Sequence, residues 1–378
     1  MIDRTDRPPK GDSCALPVSA LIFHPAPSTS GPLTEAVDDA RRALAERHRK
    51  AFLRAGADRV RIVEEPPRAA SFGAMLRETA QSRELGRGGC VVLGSGAIPL
   101  ATTADLARFV AVARAGGRVA LANNRYSADV VAIGRAAVLR EIPDLPSDNA
   151  LPRWLEEHAG FSVTDLRTRW RLGMDLDSPL DLVLLRASGR RWLPAAADSP
   201  TLAARLAEVS TVLDDPRAEL LVAGRVSAGT LAFLEGEARC RVRALIEERG
   251  LKASTELALR DIRKGARRLR AARSILGTVL DRDGPLALGP LLAQFADAAL
   301  IDTRVLLAHR LGSDEERWPV PEDRFGSDML TPSSIADPWL RVLTTSAVQA
   351  SIPVLLGGHS LVGPGVRLLR GATHVRSG

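Results

Sequence analysis

Short apolar runs alternate with longer amphipathic segments through the first half of the chain. The segments that are apolar or alternate in polarity, as β-strands do, are residues 15–23, 59–63, 90–93, 118–122, 130–133 and 162–165. The segments that repeat apolar residues at helical spacing are residues 34–54, 70–80, 103–115 and 150–158. Strands and helices that alternate in this way predict a three-layer α/β domain over residues 15–190.

Capping residues mark two of the predicted helix starts. Thr102 or Thr103 stands at the start of the helix at 103–115, where its hydroxyl can accept a hydrogen bond from a first-turn N–H group. Ser178 followed by Pro179 indicates another start, because proline suits the first helical position. We therefore expect a helix over residues 179–185, near the end of the first domain.

The second half of the chain has a different pattern. Its predicted strands are residues 219–223, 240–246 and 353–356, and its predicted helices are residues 229–237, 254–280, 286–311 and 337–350. The polar stretch 312–335 is predicted to be a loop. We expect a disordered leader at 1–14, a linker at 191–200, and a second, helix-rich α/β domain at 201–378.

Composition and charge narrow the class of protein. The chain has 378 residues, of which 45% are hydrophobic and 26% charged, as in a folded protein with a large core. The net charge of +7 would attract nucleotides or acidic partners, although arginine is spread along the chain, as in a GC-biased genome. The densest basic stretch, 260–273, resembles a solvated helix face. Aromatic residues make up only 4%, which disfavours a single-stranded nucleic-acid partner.

Cysteine usage and hydropathy indicate the compartment. Cys14, Cys90 and Cys240 are odd in number and widely spaced, which predicts neither a disulfide framework nor a zinc site and is typical of a reducing environment. The first residues lack the apolar centre of a signal peptide, and no run of about 18 apolar residues occurs. We expect a cytoplasmic protein that does not cross a membrane.

Two aspartates and a strand end point to chemistry. Residues 91–106 read VVLGSGAIPLATTADL, a buried strand that leads into a loop of small residues, which is how α/β sheets present ligand sites. Residues 173–182 read GMDLDSPLDL. Asp175 and Asp177 lie two residues apart at the end of a predicted strand and would share one side, as a divalent metal requires. Alternatively, Asp177 or Ser178 caps the following helix and Asp175 is a loop residue.

These motifs resemble a known family. The segment DLDSPLDL resembles the D-x-D-[ST]-P-x-D-L close of nucleotidyltransferases with the GT-A-like fold, which include the molybdenum-cofactor guanylyltransferases (MobA-like) and the 2-phospho-lactate guanylyltransferases. The segment at 91–106 resembles their mid-domain strand. The resemblance covers about half of the chain, namely the first domain.

The resemblance implies a reaction and a set of site residues. A nucleoside triphosphate would bind under an N-terminal loop, and its nucleotidyl group would pass to a phosphorylated small-molecule acceptor with the help of Mg²⁺. Asp175 and Asp177 would hold the metal and act in catalysis. Ser95 and Gly96 would contact the nucleotide.

The sequence departs from the family pattern at two places. The family has several glycines and a basic residue after the first strand, whereas residues 24–31 read HPAPSTSG, and prolines offer no N–H group to a phosphate. Where the family commonly has an aspartate, this chain has Ala97. A catalytically silent relative that binds a nucleotide or a partner is therefore a second hypothesis.

Three polar residues after the fourth predicted strand are candidates for the acceptor pocket. Asn123 and Asn124 could hydrogen-bond a base or ribose, and Arg125 could bind a phosphate. The alternative is an asparagine-rich turn with a packed tyrosine. His24 could likewise contact a phosphate or pack in a turn.

A third hypothesis places the activity in the second half. Residues 357–365 read GGHSLVGPG after a predicted strand, and glycines there would let a phosphate approach the backbone beside His359. The alternative is a tight turn that packs this histidine. Asp302, Arg304 and His309 share a predicted helix and form either a polar functional stripe or buried ion pairs.

Overall fold

The computed structural model describes residues 16–26, 31–64, 71–81, 88–145, 147–195, 199–249 and 270–371. The predicted leader at 1–14, residues 27–30 of the loop after the first strand, and most of the basic stretch 260–273 lie outside these ranges. The protein is an α/β protein with two sheets, so the predicted fold class is confirmed.

The first sheet is mixed and has six strands. In chain order they are β1 (Val18–His24), β2 (Arg59–Glu64), β3 (Gly89–Gly94), β4 (Val119–Ala122), β5 (Val130–Ile133) and β6 (Ser162–Asp165). Their order across the sheet is β2-β1-β3-β5-β4-β6, and β5 alone among them runs antiparallel to its neighbours. The carboxyl ends of the parallel strands therefore meet at one edge, where such sheets bind ligands.

Helices cover both faces of this sheet. They are α1 (Pro32–Arg54), α2 (Phe72–Ala80), α3 (Thr103–Arg114) and α4 (Leu151–Glu157). The next helix, α5 (Pro179–Ala187), packs instead with the core of the second sheet. Leu21 and Phe23 of β1 pack in one core cluster with α2 and α4, whereas Ala20 and Ile22 pack in another with α1 and α3. Because neighbouring strand residues face opposite sides, this division gives the three layers.

The second sheet is parallel. It contains β7 (Glu219–Gly224), β8 (Arg241–Ile246), β9 (Ala298–Asp302) and β10 (Val354–Gly357), in the order β10-β9-β7-β8. The predicted helix over 286–311 is wrong, because β9 lies within it. All of β9 is buried and its run of apolar residues is short, so periodicity does not distinguish it from a buried helix.

The described helices of the second half are α6 (Pro200–Asp214), α7 (Ala228–Glu237), α8 (Ile275–Asp283), α9 (Leu288–Leu292), α10 (Thr303–Leu311), α11 (Pro321–Asp328), α12 (Pro338–Gln349) and α13 (Gly365–Gly371). The predicted loop at 312–335 is wrong in part, because it contains α11. Pro321 suggested a loop, but it occupies the first turn of that helix, where its missing N–H group costs no hydrogen bond. Of the helix predicted over 254–280, the part that the structure describes begins at Ile275 with Ser274 as its cap.

The two halves share one hydrophobic cluster. The leucines of α5 pack in the same cluster as the core of the second sheet. A Cβ on Gly357, at the end of β10, would lie 2.9 Å from a methyl group of Leu180. Helices α1 and α11 also contact each other. The carboxyl edge of the first sheet therefore lies against the second half.

Two further features concern the cysteines and the helices. Cys90 and Cys240 are free and buried, and burial raises the pKa of Cys90 to about 12, so this thiol stays protonated and unreactive. Cys14 lies outside the described residues.

Among the helices that can be described, none has both the length and the apolar composition needed to cross a bilayer.

Candidate functional site

The predicted metal-binding aspartates lie beside the loop that follows β3. Ala97 in this loop forms an isolated antiparallel bridge with Asp175. The Leu176 N–H group donates to the Gly96 carbonyl at 3.0 Å. The segment that carries both aspartates therefore runs along the loop at the carboxyl edge of the first sheet.

Close packing explains the glycine in this loop. A Cβ on Gly96 would lie 2.8 Å from the Leu176 carbonyl oxygen and 3.1 Å from Asp175 Oδ1. Ile98 is buried and has a φ of 48°, a conformation that β-branched residues rarely adopt. His48 of α1 hydrogen-bonds this loop, with its Nε2 2.8 Å from the Ala97 carbonyl oxygen. Burial lowers the pKa of His48 to about 4, so the ring is neutral and donates this hydrogen bond.

Asp175 is half-buried among other acids. Its Oδ1 accepts a hydrogen bond from the Leu176 N–H group at 2.9 Å. Burial and the charges of Asp177 and Asp129 hold the pKa of Asp175 well above its usual range, and Arg41 offsets this only in part. A cation at this position would relieve the repulsion between the carboxylates.

Asp177 is exposed and paired with an arginine from α1. The Arg41 Nη2 lies 2.5 Å from Asp177 Oδ1, and the Arg41 Nε donates to the Leu176 carbonyl at 2.8 Å. Arg41 therefore fastens the aspartate segment to α1.

The helix cap next to these aspartates is Ser178, not Asp177. Ser178 and Asp181 form a capping box at the start of α5. The Asp181 Oδ2 accepts hydrogen bonds from the Asp177 N–H, the Ser178 N–H and the Ser178 hydroxyl. Burial, followed by the charge of Asp177, raises the pKa of Asp181 to about 7. Because capping is left to Ser178 and Asp181, the side chain of Asp177 is not used as a cap.

A magnesium ion at this edge would have Asp175 and Asp177 as its protein ligands. Mg²⁺ commonly binds through one or two carboxylates and completes its shell with water and phosphate oxygens. Over the ranges that the structure describes, no group of three or more His, Cys, Asp or Glu side chains could hold a metal. Two carboxylates would therefore come from the protein, and the remaining ligands of such an ion would come from water or from phosphate oxygens.

His24 ends β1 and is fully buried, so it lies in the strand and not in the turn after it. Its Nδ1 lies 3.0 Å from the Ser95 hydroxyl, and its Nε2 lies 3.2 Å from Asp38 Oδ1 of α1. Burial lowers the pKa of His24, although Asp38 opposes the shift. Ser95 is buried as well, and its N–H group donates to the Phe23 carbonyl at 2.8 Å. These two residues join the strand, the loop and α1.

An acid from the second half occupies the N-terminus of α1. Glu322 of α11 accepts hydrogen bonds from the Leu33 N–H at 3.1 Å, the Thr34 N–H at 3.0 Å and the Thr34 hydroxyl at 2.8 Å. A Cβ on Gly31 would lie only 2.5 Å from Glu322 Cδ. Sequence analysis missed this contact, because 288 positions separate Thr34 from Glu322 and no local pattern links them.

Three residues of α1 at the site were also missed, although a signal for them exists. Asp38, Arg41 and His48 are three and seven residues apart, which places them along one side of the helix. Polar residues on the side of a helix that packs against a sheet indicate contacts with a strand edge.

Asn123 is buried and engaged inside the protein. Its side-chain amide donates to Asp129 Oδ2 at 2.7 Å and to the Leu172 carbonyl at 2.9 Å. Its carbonyl oxygen accepts from the Asp129 N–H at 3.0 Å. Asn123 therefore shapes the turn between β4 and β5, and these hydrogen bonds occupy both ends of its amide.

Asn124 and Arg125 also bind protein groups. The Asn124 side chain accepts from the Tyr126 N–H at 3.0 Å, as in an asparagine turn. Arg125 forms an ion pair with Glu156 of α4 and lies over the Tyr126 ring.

In the second half, the Arg225 guanidinium donates to the Asp302 carboxylate, through its Nε at 2.6 Å and its Nη2 at 3.0 Å.

His359 lies near Asp302 in the second half. Burial would raise the pKa of Asp302, but Arg225, His359 and Arg304 together lower it below its usual value. Gly357, two residues before His359, pairs with Asp302 between β10 and β9, so the structure brings together the histidine and the aspartate of the third hypothesis. The following residue, Ser360, reaches the first site, with its hydroxyl 3.5 Å from the Asp175 carbonyl oxygen.

His309 is not part of this group. Its Nε2 lies 2.9 Å from Asp281 Oδ2, and its Nδ1 accepts from the Ser274 N–H at 3.0 Å. These bonds join α8 to α10. Arg304 instead pairs with the buried Asp328, with Nη2 donating to Oδ2 at 2.6 Å.

Comparison with known proteins yields little. No family model and no curated protein matches this chain. Two solved structures are similar to part of it. The crystal structure of Rv0371c from Mycobacterium tuberculosis H37Rv is 17% identical with a TM-score of 0.25, and the match covers 48% of this chain and 99% of that one. The structure of Rv0371c in complex with manganese is 20% identical with a TM-score of 0.24, and the match covers 48% and 100%. At this level, neither structure assigns a fold or an activity to the protein.

Proposed function

We propose that the protein is a nucleotidyltransferase of the GT-A-like type. It binds a nucleoside triphosphate at the carboxyl edge of the first sheet and transfers the nucleotidyl group to a phosphorylated small molecule in the cytoplasm. The bridge between Ala97 and Asp175 supports this proposal most directly. It holds two carboxylates beside a glycine-containing loop at a strand end, where a metal and a triphosphate would meet.

Each group at this edge has a role in the proposed reaction. Asp175 and Asp177 would hold Mg²⁺, which offsets the repulsion between the triphosphate and the attacking phosphate. Gly96 leaves room for the backbone to approach the nucleotide. Arg41 neutralises Asp177 in the free protein and is placed to bind a phosphate oxygen once the carboxylate turns to the metal.

A second candidate is a catalytically silent relative that binds a nucleotide or a partner. The engagement of the candidate side chains favours it: Asp177 is paired with Arg41, and Arg125 with Glu156. Ala97 also supplies no carboxylate. Such a protein would keep the pocket of the family without its chemistry.

Calorimetric titration with GTP and with CTP, each with and without Mg²⁺, separates the two candidates. The enzyme should bind one nucleotide only with Mg²⁺, and Asp177→Ala should abolish that binding. The matched control is Asp144→Ala, because Asp144 also forms an exposed ion pair, with Arg77, but away from the site.

The possible results of this titration distinguish the candidate functions. Binding that needs no metal and survives Asp177→Ala indicates the silent relative. Absence of binding to either nucleotide contradicts the enzyme, and it leaves a silent relative that binds a partner or an activity in the second half. There, the proximity of His359 to Asp302 makes His359→Ala the first variant to examine by ligand-dependent thermal shift.

A further inference from the structure

The second sheet has a switch point between β7 and β9. Read from its other edge, the strand order is β8-β7-β9-β10, so the chain adds β8 on one side of β7 and then crosses to add β9 on the other side. The loops that leave β7 and β9 therefore diverge. Parallel α/β sheets bind ligands in the crevice that forms at the carboxyl ends of two such strands.

Asp302 and Arg225 lie at this switch point. Asp302 ends β9, and its side chain is fully buried. Gly224 ends β7, and a Cβ on it would lie only 2.3 Å from the Asp302 Cβ, so the two strand ends pack closely. Arg225 follows directly and donates to both oxygens of the Asp302 carboxylate. Asp302 therefore fixes the direction of the Arg225 guanidinium.

Two arginines keep unused donors at this edge of the sheet. A guanidinium has five N–H donors, and a bidentate ion pair uses only some of them. Arg225 uses its Nε and Nη2 on Asp302, so its Nη1 has no acceptor among the residues that the structure describes. Arg304 uses its two Nη atoms on Asp328, and its Nε, which would lie 3.8 Å from a Cβ on Gly358, likewise has no acceptor in the described chain.

Two further arginines lie beside this pair and are repelled by it. Arg249 follows β8 and donates to the Arg225 carbonyl at 3.4 Å, and partial burial and the charge of Arg225 lower its pKa. Arg324 of α11 has a buried Nε with no acceptor within the described ranges. Burial and the charge of Arg304 lower the pKa of Arg324, which Glu315 offsets only in part. An anion bound next to these guanidinium groups would offset the repulsion.

This crevice lies close to the aspartates of the first half. The loop after β10 carries His359, which lies near Asp302, and the hydroxyl of the next residue is 3.5 Å from the Asp175 carbonyl oxygen. Asp181 of α5 is close enough for its charge to act on Arg304. A phosphate bound by the arginines would therefore lie across from the carboxylates that are proposed to hold the metal.

We propose that the crevice between β7 and β9 binds the phosphate group of the phosphorylated acceptor through Arg225, Arg249 and Arg304. Guanidinium forks match phosphate oxygens in geometry and in charge. The inference rests on the proposed function, because it assigns the acceptor of that reaction to the second half. Asn123 and Arg125, which the sequence suggested for the acceptor, bind protein groups instead.

Calorimetric titration of the 378-residue chain with glycerol 3-phosphate and with phosphoglycolate, without nucleotide and without Mg²⁺, tests this inference. Glycerol and glycolate are the matched ligands without phosphate and should not bind. Arg249→Gln should weaken the binding of the phosphorylated ligands by about tenfold, because it removes one charged donor. Arg225→Lys keeps a charge beside Asp302 but has no planar fork, so it should weaken binding by a similar factor.

Arg217→Gln is the matched control. Arg217 precedes β7, so it lies at the opposite, amino edge of the same sheet, where it pairs with Asp215 at the surface. This variant removes the same charge as Arg249→Gln, and its affinity for the phosphorylated ligands should equal that of the wild type. An equal loss in the two variants would overturn the inference, because the overall positive charge would then explain binding.

The inference and the proposed function fail in different ways. If the phosphorylated ligands do not bind, or bind equally to the wild type, Arg225→Lys and Arg249→Gln, the inference is wrong, and the nucleotide titrations still decide the proposed function. If these ligands bind through the arginines but no nucleotide binds with Mg²⁺, the phosphate site stands, and its ligand is not an acceptor of nucleotidyl transfer.

Chemical modification provides a second measurement on the wild-type protein. Phenylglyoxal reacts with accessible guanidinium groups, and mass spectrometry of peptides locates the modified arginines. Saturating glycerol 3-phosphate should slow the modification of Arg249 and leave that of Arg217 unchanged. Equal rates at Arg249 with and without the ligand would contradict the inference.

Discussion

Two buried aspartates of this protein have opposite pKa shifts. Asp302 accepts two hydrogen bonds from the Arg225 guanidinium, which lowers its pKa despite burial. Asp181 accepts from backbone N–H groups and a hydroxyl, which are neutral, and burial raises its pKa to about 7. At the residue scale, the partner rather than the residue type decides the charge.

Asp181 should make stability fall as pH rises. Its folded pKa of about 7 lies above its usual value, so the folded state binds the proton more tightly than the unfolded chain does. The stabilisation is complete below about pH 4 and is lost as the pH rises through about 7. Between pH 5.5 and pH 8 we expect the free energy of unfolding to fall by on the order of 2 kcal/mol from this group.

Urea denaturation of the wild type and Asp181→Asn at these two pH values measures this effect. The asparagine variant should lack that part of the pH dependence, because it has no proton to lose. Asp144→Asn, at an exposed carboxylate, should keep the wild-type dependence. Equal pH dependence in wild type and Asp181→Asn would show that the carboxyl is ionised throughout this range.

At the scale of elements, the loop after β3 and the segment that contains Asp175 form one unit. The bridge at Ala97, the hydrogen bond from Leu176 to Gly96 and the contact with His48 hold them together. The sequence predicted that both segments reach the carboxyl edge of the first sheet, and they lie at that edge in the structure. It did not predict that His48 supports the loop, because that contact depends on how α1 packs.

Gly96→Ala should disrupt this unit. The new Cβ would lie 2.8 Å from the Leu176 carbonyl oxygen, and a backbone atom cannot move away as a flexible side chain can. We expect a loss of about 1–3 kcal/mol in the free energy of unfolding, measured by urea denaturation, and loss of nucleotide binding.

Gly94→Ala is the matched control for this prediction. A Cβ at Gly94 would meet no atom within 4 Å, although the residue lies only two positions away, at the end of β3. It should be nearly as stable as the wild type. If both variants were equally stable, the close approach at Gly96 would be unimportant.

At the scale of the whole molecule, the second half closes over the edge of the first sheet. Glu322 caps α1, Ser360 reaches the Asp175 carbonyl, and the charge of Asp181 adds to the charges that raise the pKa of Arg304. Residues of the second half therefore border the candidate site of the first half. Neither half would form this arrangement alone.

Arg304→Ala should destabilise the second half strongly. Arg304 and Asp328 form a bidentate pair in which the Asp328 side chain is fully buried. Removing the guanidinium leaves a buried carboxylate without its counter-charge, which costs about 3 to 5 kcal/mol. Thermal and urea denaturation measure the loss.

Arg282→Ala serves as the comparison. Arg282 and Asp283 form an equally bidentate pair, but it is exposed to solvent. Its removal should leave the free energy of unfolding nearly unchanged, because exposed ion pairs contribute little to stability. Similar losses in the two variants would mean that burial contributes little to the Arg304 pair.

The sequence by itself determined the elements that have a local signal. The strands of the first sheet and the Ser178 cap of α5 follow from periodicity and from capping chemistry within a few residues. The strand predicted to end at Asp175 is wrong, because Trp170–Gly173 form a 3-10 helix and Asp175 makes only an isolated bridge with Ala97. Only the tertiary structure decided that residues 298–302 form a central strand, that Glu322 closes the N-terminus of α1, and that Arg41 neutralises Asp177. These features depend on contacts between residues far apart in the chain, and hydrophobic and capping patterns report only on near neighbours.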